Sequence, residues 1–231
     1  AKFKKQLGFE VPVYATLDDG TYNPREAYSH GMYRGMASHA MAQGAGGIYL
    51  FNYFLTGYNE ANQKLQPKEG TLVCRTIAPE LLQELGSLET LRKRNKIYAL
   101  SDGASSYELT PNSPLPLLIQ QNTEAGIFIG DDVNADEPQE VILFIRTNKK
   151  DSFSVSINGS ALQQINADYP RLYDKLTGIK EPQHVTAFIV PANVVIQGNN
   201  KIVFSASANE LILQRVELAL KYGSVEECGY F

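Results

Sequence analysis

The pattern of hydrophobic and polar positions changes near residue 100. Before this point, an apolar stripe with helical spacing lies between two short apolar runs, which is typical of a β-α-β unit. After it, short runs rich in Val, Ile and Phe alternate with turn residues, which is typical of an antiparallel β-sandwich. We therefore predict an α/β segment over residues 1–100 and an all-β sandwich over residues 101–231.

The N-terminal segment opens with a predicted strand at Val11–Leu17. A helix is predicted to start at Asn23, because this N-cap side chain is followed by Pro24 and, three residues after the cap, by Glu26. Gly44 is the expected left-handed residue at the helix C-terminus. Between these ends runs a single apolar stripe, formed by Tyr33, Met36, Ala37, Ala40 and Met41.

The second predicted strand of this segment is Ile48–Leu55. It is almost continuous in apolar and aromatic residues, so we expect a parallel strand that is covered on both faces. A right-handed crossover between two such strands brings their C-terminal ends to one rim. Asp18, Asp19, Asn52 and Tyr53 are then expected to share this rim, which is where α/β folds place their ligand chemistry.

The remaining elements are short. Two helices are predicted between residues 77 and 95, the second with Ser87 as its N-cap. Ile97–Leu100 is expected to lead out of the segment, and Ser101–Ser106 is small and polar enough for a linker. The dipeptide Asn158-Gly159 predicts a type I′ hairpin turn. The sandwich strands are predicted at residues 115–120, 125–129, 141–147, 153–157, 184–190, 201–206 and 211–222.

Composition restricts the classes of partner. The net charge of -4 and the pI near 5.5 provide no basic surface for a phosphate backbone, so we expect no nucleic-acid partner. No run approaches the roughly 20 apolar residues that span a bilayer. The spacing of Cys74 and Cys228 predicts no disulfide framework. A single disulfide between them is the alternative interpretation. The chain contains no phosphate-binding loop, and we expect no cofactor.

Two groups of polar residues each have two interpretations. Asp132, Asn134 and Asp136 show the alternating oxygen ligands of a calcium loop, but the glycine and terminal Glu of such a loop are missing, which favours a solvated hairpin. Tyr169 and Arg171 lie in a long polar insertion, where a sandwich can present a ligand-binding loop. An ordered loop that packs on the first segment is the other interpretation of this insertion.

Two parts of the chain resemble known families, and together they cover most of it. Tyr33–Ala37 followed by Gly44–Phe54 resembles the last helix-strand unit of TIM-barrel glycoside hydrolases. Val155–Leu162, with Val190-Pro191 and Gly198–Ile202, resembles the galactose-binding-like jelly roll. The resemblance implies a partial (β/α) barrel followed by a jelly roll. Because a full barrel needs about 250 residues, only its last two strands are expected here.

The resemblance also implies a function, namely carbohydrate processing by the C-terminal portion of a secreted or periplasmic glycoside hydrolase. Such enzymes use two carboxylates, for which Asp18 and Asp19 are the catalytic candidates, with the other residues of the site lying upstream. The implied partner is an oligo- or polysaccharide, and no metal is expected in the site. The substrate-binding candidates are Tyr22, Asn52, Tyr53, Tyr169 and Arg171.

The alternative function is a non-catalytic accessory module, whose sandwich binds carbohydrate or only supports the barrel. Asp18-Asp19-Gly20 is also a common turn sequence, which would leave both carboxylates without a catalytic role. If the barrel is incomplete, the strand Ile48–Leu55 has an unpaired edge, and such an edge predicts a homodimer.

Overall fold

The computed structural model describes residues 6, 11–18, 30–51, 79–101, 114–167, 184–206 and 210–223. Its N-terminal part consists of strand β1 (Tyr14–Asp18), helix α1 (His30–Ala42), strand β2 (Gly47–Phe51) and the short helices α2 (Pro79–Glu84) and α3 (Leu88–Leu91). Strand β3 (Lys96–Ser101) follows. The later elements are β4 (Leu117–Leu118), β5 (Thr123–Ile129), α4 (Val133–Asp136), β6 (Glu140–Thr147), β7 (Phe153–Ile157), β8 (Ser160–Ala161), β9 (Gln163–Ile165), β10 (His184–Ile189), a 3₁₀ turn (Ala192–Val194), β11 (Gly198–Ala206) and β12 (Ile212–Lys221).

Two antiparallel sheets pack face to face. The larger sheet has the strand order β3-β12-β6-β10-β9, with β4 also paired to β12, and the smaller sheet has the order β5-β11-β7-β8. Their inner faces share one hydrophobic core, to which Ile145 and Leu218 contribute from the larger sheet and Ile157 and Phe204 from the smaller. The prediction of an antiparallel β-sandwich is confirmed.

The positions of the strands follow the sequence pattern closely. Strand β7 has the predicted bounds, and β5, β6, β10, β11 and β12 differ from them by one to three residues at an end. Strand β4 is shorter than predicted, since only Leu117–Leu118 pairs with β12. Asn158 and Gly159 have φ angles of 48° and 87° and join β7 to β8, so the hairpin has the two positive angles of a type I′ turn, as predicted.

Strands β1 and β2 are parallel, with Tyr14 opposite Gly47 and Asp18 opposite Phe51. Helix α1 lies between them in the chain and ends before Gly44, which has a φ of 95°. The β-α-β prediction is thus confirmed, although the helix start predicted at Asn23 lies outside the described residues. Within the described ranges this pair has no third strand, and a partial barrel stays a prediction.

The expectation that both faces of β2 are covered was wrong. Ile48 and Leu50 pack toward α1, whereas Tyr49 and Phe51 are exposed. Because alternate residues of a strand point to opposite faces, one face of the β1–β2 pair is covered and the other is open.

Two shorter segments also differ from expectation. Strand β3 was expected to lead out of the first segment, but it pairs with β12 along its whole length because Tyr98 and Leu100 fit the core of the sandwich. The division of the chain into domains at residue 100 stays a prediction. The hairpin expected near residues 132–136 is instead the helical turn α4, because the Asp132 side chain caps it by accepting from the Ala135 N–H at 3.1 Å.

Helix α1 is buried on two sides. On one side, Tyr33 and Ala37 pack with Leu17 of β1 and with leucines of α2 and α3. On the other side, Met32 and Gly35 lie against Ile97 of β3. The helix therefore forms the layer between the β1–β2 pair and the sandwich.

Candidate functional site

The rim at the ends of β1 and β2 is the candidate functional site. Asp18 and Phe51 are the last residues of the two strands and lie opposite each other. Because the strands are parallel, the segments that follow them leave the pair at neighbouring points of the same edge. The predicted meeting of the two strand ends is confirmed for the backbone.

Asp18 is the only predicted site residue that falls in a described element, as the last residue of β1. The other predicted site residues lie outside the described residues; they are Asp19, Tyr22, Asn52, Tyr53, Tyr169 and Arg171. Cys74 and Cys228 also lie outside them. The catalytic and binding roles of all these side chains stay predictions.

An exposed aromatic face lies on the side of the β1–β2 pair that points away from α1. Tyr14, Tyr49 and Phe51 are 59%, 56% and 45% exposed, and the ring centroids of Tyr49 and Phe51 are 6.5 Å apart. The Tyr14 ring covers Gly47, where an added Cβ would lie 2.8 Å from a ring carbon. Exposed aromatic patches are typical of surfaces that contact other groups. The continuous apolar run of β2 had predicted that Tyr49 and Phe51 would be covered.

A pocket of about 340 Å³ lies between β1, α1 and the edge strands β3 and β5. His39 lines it, with its ring packed edge-on against Phe128 at a centroid distance of 5.0 Å. Its Nδ1 lies 3.4 Å from the Phe128 carbonyl oxygen and its Nε2 lies 2.6 Å from Nε2 of Gln43, so both ring nitrogens have partners. The other lining residues are mainly apolar: Ala15, Leu17, Gly35, Met36, Ala40, Tyr98, Ala99, Leu100 and Ile127.

A buried polar cluster surrounds Asp131, in the loop between β5 and α4. Its Oδ1 accepts from the Ser38 hydroxyl at 2.9 Å and from the Tyr98 hydroxyl at 3.1 Å. Its Oδ2 lies 2.9 Å from Nζ of Lys96 and accepts from the Tyr222 hydroxyl at 3.3 Å. Side chains from α1, β3 and the end of β12 thus converge on one carboxylate.

Burial controls ionisation in this cluster. Desolvation lowers the pKa of Lys96, although the charge of Asp131 opposes this shift. Desolvation raises the pKa values of Tyr98 and Tyr222, and the charge of Asp131 raises them further. Lys96 has no exposed surface and Asp131 is 7% exposed, so a substrate cannot reach these two charges. The cluster therefore holds parts of the fold together.

Sequence reasoning missed this cluster. Ser38, Lys96 and Asp131 are far apart in the chain and form no spaced motif. Only the pairing of β3 with β12 and the close seating of α1 on β3 bring them together.

The acidic residues of α4 have partners of their own. Asp136 accepts a hydrogen bond from Nε of Arg92 at 2.5 Å, and this bond raises the pKa of Arg92. The calcium interpretation of this segment thus gains no support from the positions of Asp132 and Asp136. In the part of the chain that the structure describes, no three His, Cys, Asp or Glu side chains gather as metal ligands do. Each helix of that same part is too short or too polar to cross a bilayer.

The sequence matches no protein-family model and no curated protein. Similar solved structures include BpGH86A, a β-porphyranase of glycoside hydrolase family 86 from the human gut bacterium Bacteroides plebeius, which is 11% identical over 57% of this chain and 21% of its own, with a TM-score of 0.37. Two structures of BuGH86 in complex with neoagarooctaose are 14% and 13% identical, with TM-scores of 0.34 and 0.35, over 55% of this chain and 19% of theirs. This chain therefore spans about a fifth of the length of these neighbours. At these TM-scores the likeness assigns neither a fold family nor an activity.

Proposed function

We propose that this chain is the C-terminal portion of a carbohydrate-processing protein of the glycoside hydrolase type. The observation that supports the proposal is the parallel pair β1–β2, whose strands end opposite each other at Asp18 and Phe51. Polar residues directly follow both strands in the sequence, and α/β folds carry their chemistry at such rims. Asp18 and Asp19 are the proposed carboxylates, and Tyr22, Asn52 and Tyr53 the proposed substrate-binding groups.

Glycoside hydrolysis sets a geometric condition on these residues. One carboxyl group donates a proton to the leaving oxygen while a second acts from the other side of the sugar, at a separation of roughly 5 to 10 Å. If the chain is extended there, Asp18 and Asp19 point to opposite faces and do not form such a pair with each other. We therefore propose that one of them acts with a carboxylate that lies upstream of this chain.

The second candidate function is a non-catalytic accessory module. The observation that favours it is the burial of helix α1 against β3, which makes the sandwich a support for the β-α-β unit. In this function, any carbohydrate would bind to the sandwich at the insertion that carries Tyr169 and Arg171.

The location and the assembly of the protein are also proposals. We propose a secreted or periplasmic protein with an oligo- or polysaccharide as its partner. A homodimer through an open edge of the β1–β2 pair is a further proposal, because an unpaired strand edge can accept another strand. Light scattering tests it, and a monomer at every concentration would contradict it.

The test of the proposed site is a screen of neutral oligosaccharides, including neoagarooctaose, and of aryl glycosides, for both binding and hydrolysis. The chain is compared with its Asp18→Asn and Asp19→Asn variants. Asp151→Asn is the matched control, because Asp151 lies in the sandwich between β6 and β7.

If the rim is the site, binding or hydrolysis is lost in at least one of the two rim variants and persists in the control. Binding that is unchanged in every variant would contradict a site at the rim and favour the accessory module. Loss of binding in Tyr169→Ala, with the rim variants unaffected, would then assign the sugar to the sandwich insertion.

A further inference from the structure

Helix α1 contacts the sandwich through buried polar groups as well as hydrophobic ones. Ser38 is fully buried and donates to Asp131 at 2.9 Å. Arg34, four residues earlier on the helix, is also buried; it donates to Glu84 of α2 at 2.6 Å and to the carbonyl oxygen of Asn95, directly before β3, at 3.4 Å. Residues four apart lie on the same side of a helix, so this side of α1 bonds to the sandwich at Ser38 and to α2 and the residue before β3 at Arg34.

Asp131 is the centre of the contact. Its carboxylate holds Ser38 from α1, Lys96 and Tyr98 from β3, and Tyr222 from the chain segment after β12. A buried charge is stable only while its hydrogen-bonding partners remain in place, because no water replaces them. The conformation that keeps all four donors on the carboxylate is therefore strongly favoured over one in which α1 has shifted.

Lys96 extends the contact to the turn that precedes β3. Its ammonium group has no exposed surface, and besides Asp131 it donates to the carbonyl oxygens of Leu91 and of Arg94, the latter at 3.3 Å. The loss of Asp131 would leave this ammonium group buried without its counter-charge, which is a strongly unfavourable state.

Two glycines allow the helix to sit this close. An added Cβ on Gly35 would lie 2.0 Å from the carbonyl oxygen of Ile97, and one on Gly130 would lie 2.6 Å from that of Ser38. Both contacts are with backbone, which cannot rotate away as a side chain can. The position of α1 on the sandwich is therefore fixed both by these close backbone contacts and by the polar cluster around Asp131.

The opposite side of α1 carries the β1–β2 pair. Tyr33 and Ala37 of the helix share a hydrophobic cluster with Leu17 of β1, and Ile48 and Leu50 of β2 pack against that cluster. The position of the rim relative to the sandwich therefore depends on where α1 packs on the sandwich.

We propose that Asp131 is a positioning residue that locks helix α1, and with it the β1–β2 pair, onto the sandwich in one orientation. The carboxylate does this by accepting hydrogen bonds from α1, from β3 and from Tyr222, directly after β12. The lock is a property of the fold, and it does not depend on which function the rim performs.

The test is hydrogen exchange of the whole chain, followed by mass spectrometry, in the wild type and in Asp131→Asn. The amide keeps the shape of the side chain but replaces one acceptor oxygen by a donor, which opposes the donors that face it. We expect the amides of α1, β1 and β2 to exchange about ten- to a hundred-fold faster, as the loss of hydrogen bonds to a charged group predicts. The amides of β6 and β11 are expected to keep their wild-type rates.

Ser38→Ala and Tyr98→Phe each remove one donor and carry the test if Asp131→Asn does not fold. Ser38→Ala is especially informative, because Ala favours the helix more than Ser does, and faster exchange in α1 then cannot come from a loss of helix propensity. The matched control is Asn200→Ser, which disturbs a buried polar side chain bonded to Asn158 and Ile196 within the sandwich. This control is expected to leave the exchange of α1 relative to β6 unchanged.

Faster exchange confined to α1, β1 and β2 supports the lock. Equal acceleration in α1 and β6 would overturn it, because Asp131 would then contribute only to global stability. Unchanged exchange of α1 in all three variants would overturn it as well.

Discussion

The sandwich and the β-α-β unit differ in how their hydrophobic surfaces are closed. In the sandwich, the inner faces of two sheets cover each other, and Ile145, Phe204 and Leu218 have at most a trace of exposed surface. In the β1–β2 pair, only the face toward α1 is covered, and Tyr14 and Tyr49 remain exposed on the other. Antiparallel sheets can close a core with their own strands, whereas parallel strands need cover on both faces. We therefore expect the sandwich core to contribute more to stability than the β1–β2 pair does, and the β-α-β unit to depend on its contact with the sandwich.

The largest effect is expected from a cavity in the sandwich core. Phe204→Ala should lower the free energy of unfolding by about 3–5 kcal/mol, because Phe204 is completely buried between the two sheets. Urea unfolding measures this loss. Tyr49→Ala is the control on the open face of β2 and should change the free energy of unfolding by less than about 0.5 kcal/mol. Equal losses in the two variants would contradict the difference between the two regions.

The next effect is expected where the two regions touch. Gly35→Ala should lower the free energy of unfolding by about 1–3 kcal/mol, because the new methyl group collides with the Ile97 carbonyl group and forces α1 away from β3. Gly126→Ala, on β5, is the matched control, since an added Cβ there meets no atom within 4 Å. If thermal unfolding shifts equally in both variants, the close seating of α1 does not contribute to stability.

A smaller effect is expected at two glycines with positive φ, one in each region. Gly44 has a φ of 95° and Gly159 a φ of 87°, and neither has an atom near its missing Cβ. Replacement of either by Ala should cost about 1 kcal/mol, because an L-residue is strained in this conformation. Hydrogen exchange should detect the change mainly in α1 and β2 for Gly44→Ala, and in β7 and β8 for Gly159→Ala. Exchange that changes in both regions for each variant would show that they unfold as one unit.

The smallest effect at ordinary pH comes from the two buried tyrosines, because it is absent near neutral pH and grows only above about pH 10. The folded pKa values of Tyr98 and Tyr222 are raised above the usual value of about 10, so their contribution to stability is fully present below pH 10 or so and is lost as the pH rises toward the folded values. The lowered pKa of Lys96 acts in the opposite direction, because the folded chain binds its proton less tightly than the unfolded chain does. The effect of Lys96 is complete near its ordinary pKa of 10.5, so at higher pH the two tyrosines act without opposition and stability should fall as the pH rises.

Ultraviolet absorbance of tyrosinate, followed as the pH rises, measures this effect. Tyr98 and Tyr222 should ionise only when the chain unfolds. The double variant Tyr98→Phe, Tyr222→Phe should lose both the delayed ionisation and the alkaline decrease in stability. Early ionisation of every tyrosine in the folded wild type would contradict a closed cluster around Asp131.

Most of the sandwich could be predicted because its strands carry a local pattern. Phe153–Ile157 alternates apolar and polar residues, and Asn158-Gly159 has the conformational preferences that a type I′ turn requires. The pairing of β3 with β12 could not be predicted, since the partners lie more than a hundred residues apart and each reads only as a short apolar run. The helical turn at Val133–Asp136 was missed because a four-residue helix has no periodicity, and only the Asp132 cap marked it.

The candidate site was predictable only in outline. The apolar runs and the helix between them predict a crossover, and a crossover places Asp18 at a shared rim whatever the rest of the fold. The exposure of Tyr49 and Phe51 was not predictable, because the same apolar run suits a covered and an open strand. The Asp131 cluster had no sequence signal, since single Ser, Lys, Asp and Tyr residues are common in loops and at strand ends.

The sequence by itself determined the elements of this protein: the strands, the two-residue hairpin turn, the helix that ends at Gly44 and the parallel order of β1 and β2. The strands, the turn and the helix depend on interactions between residues that are close in the chain, whereas the parallel order of β1 and β2 follows from the crossover that the helix makes between them. Only the tertiary structure decided where α1 rests, which face of the β1–β2 pair stays open and which carboxylate becomes buried. Those outcomes depend on burial and on contacts between distant residues, and they arise only when the layers pack.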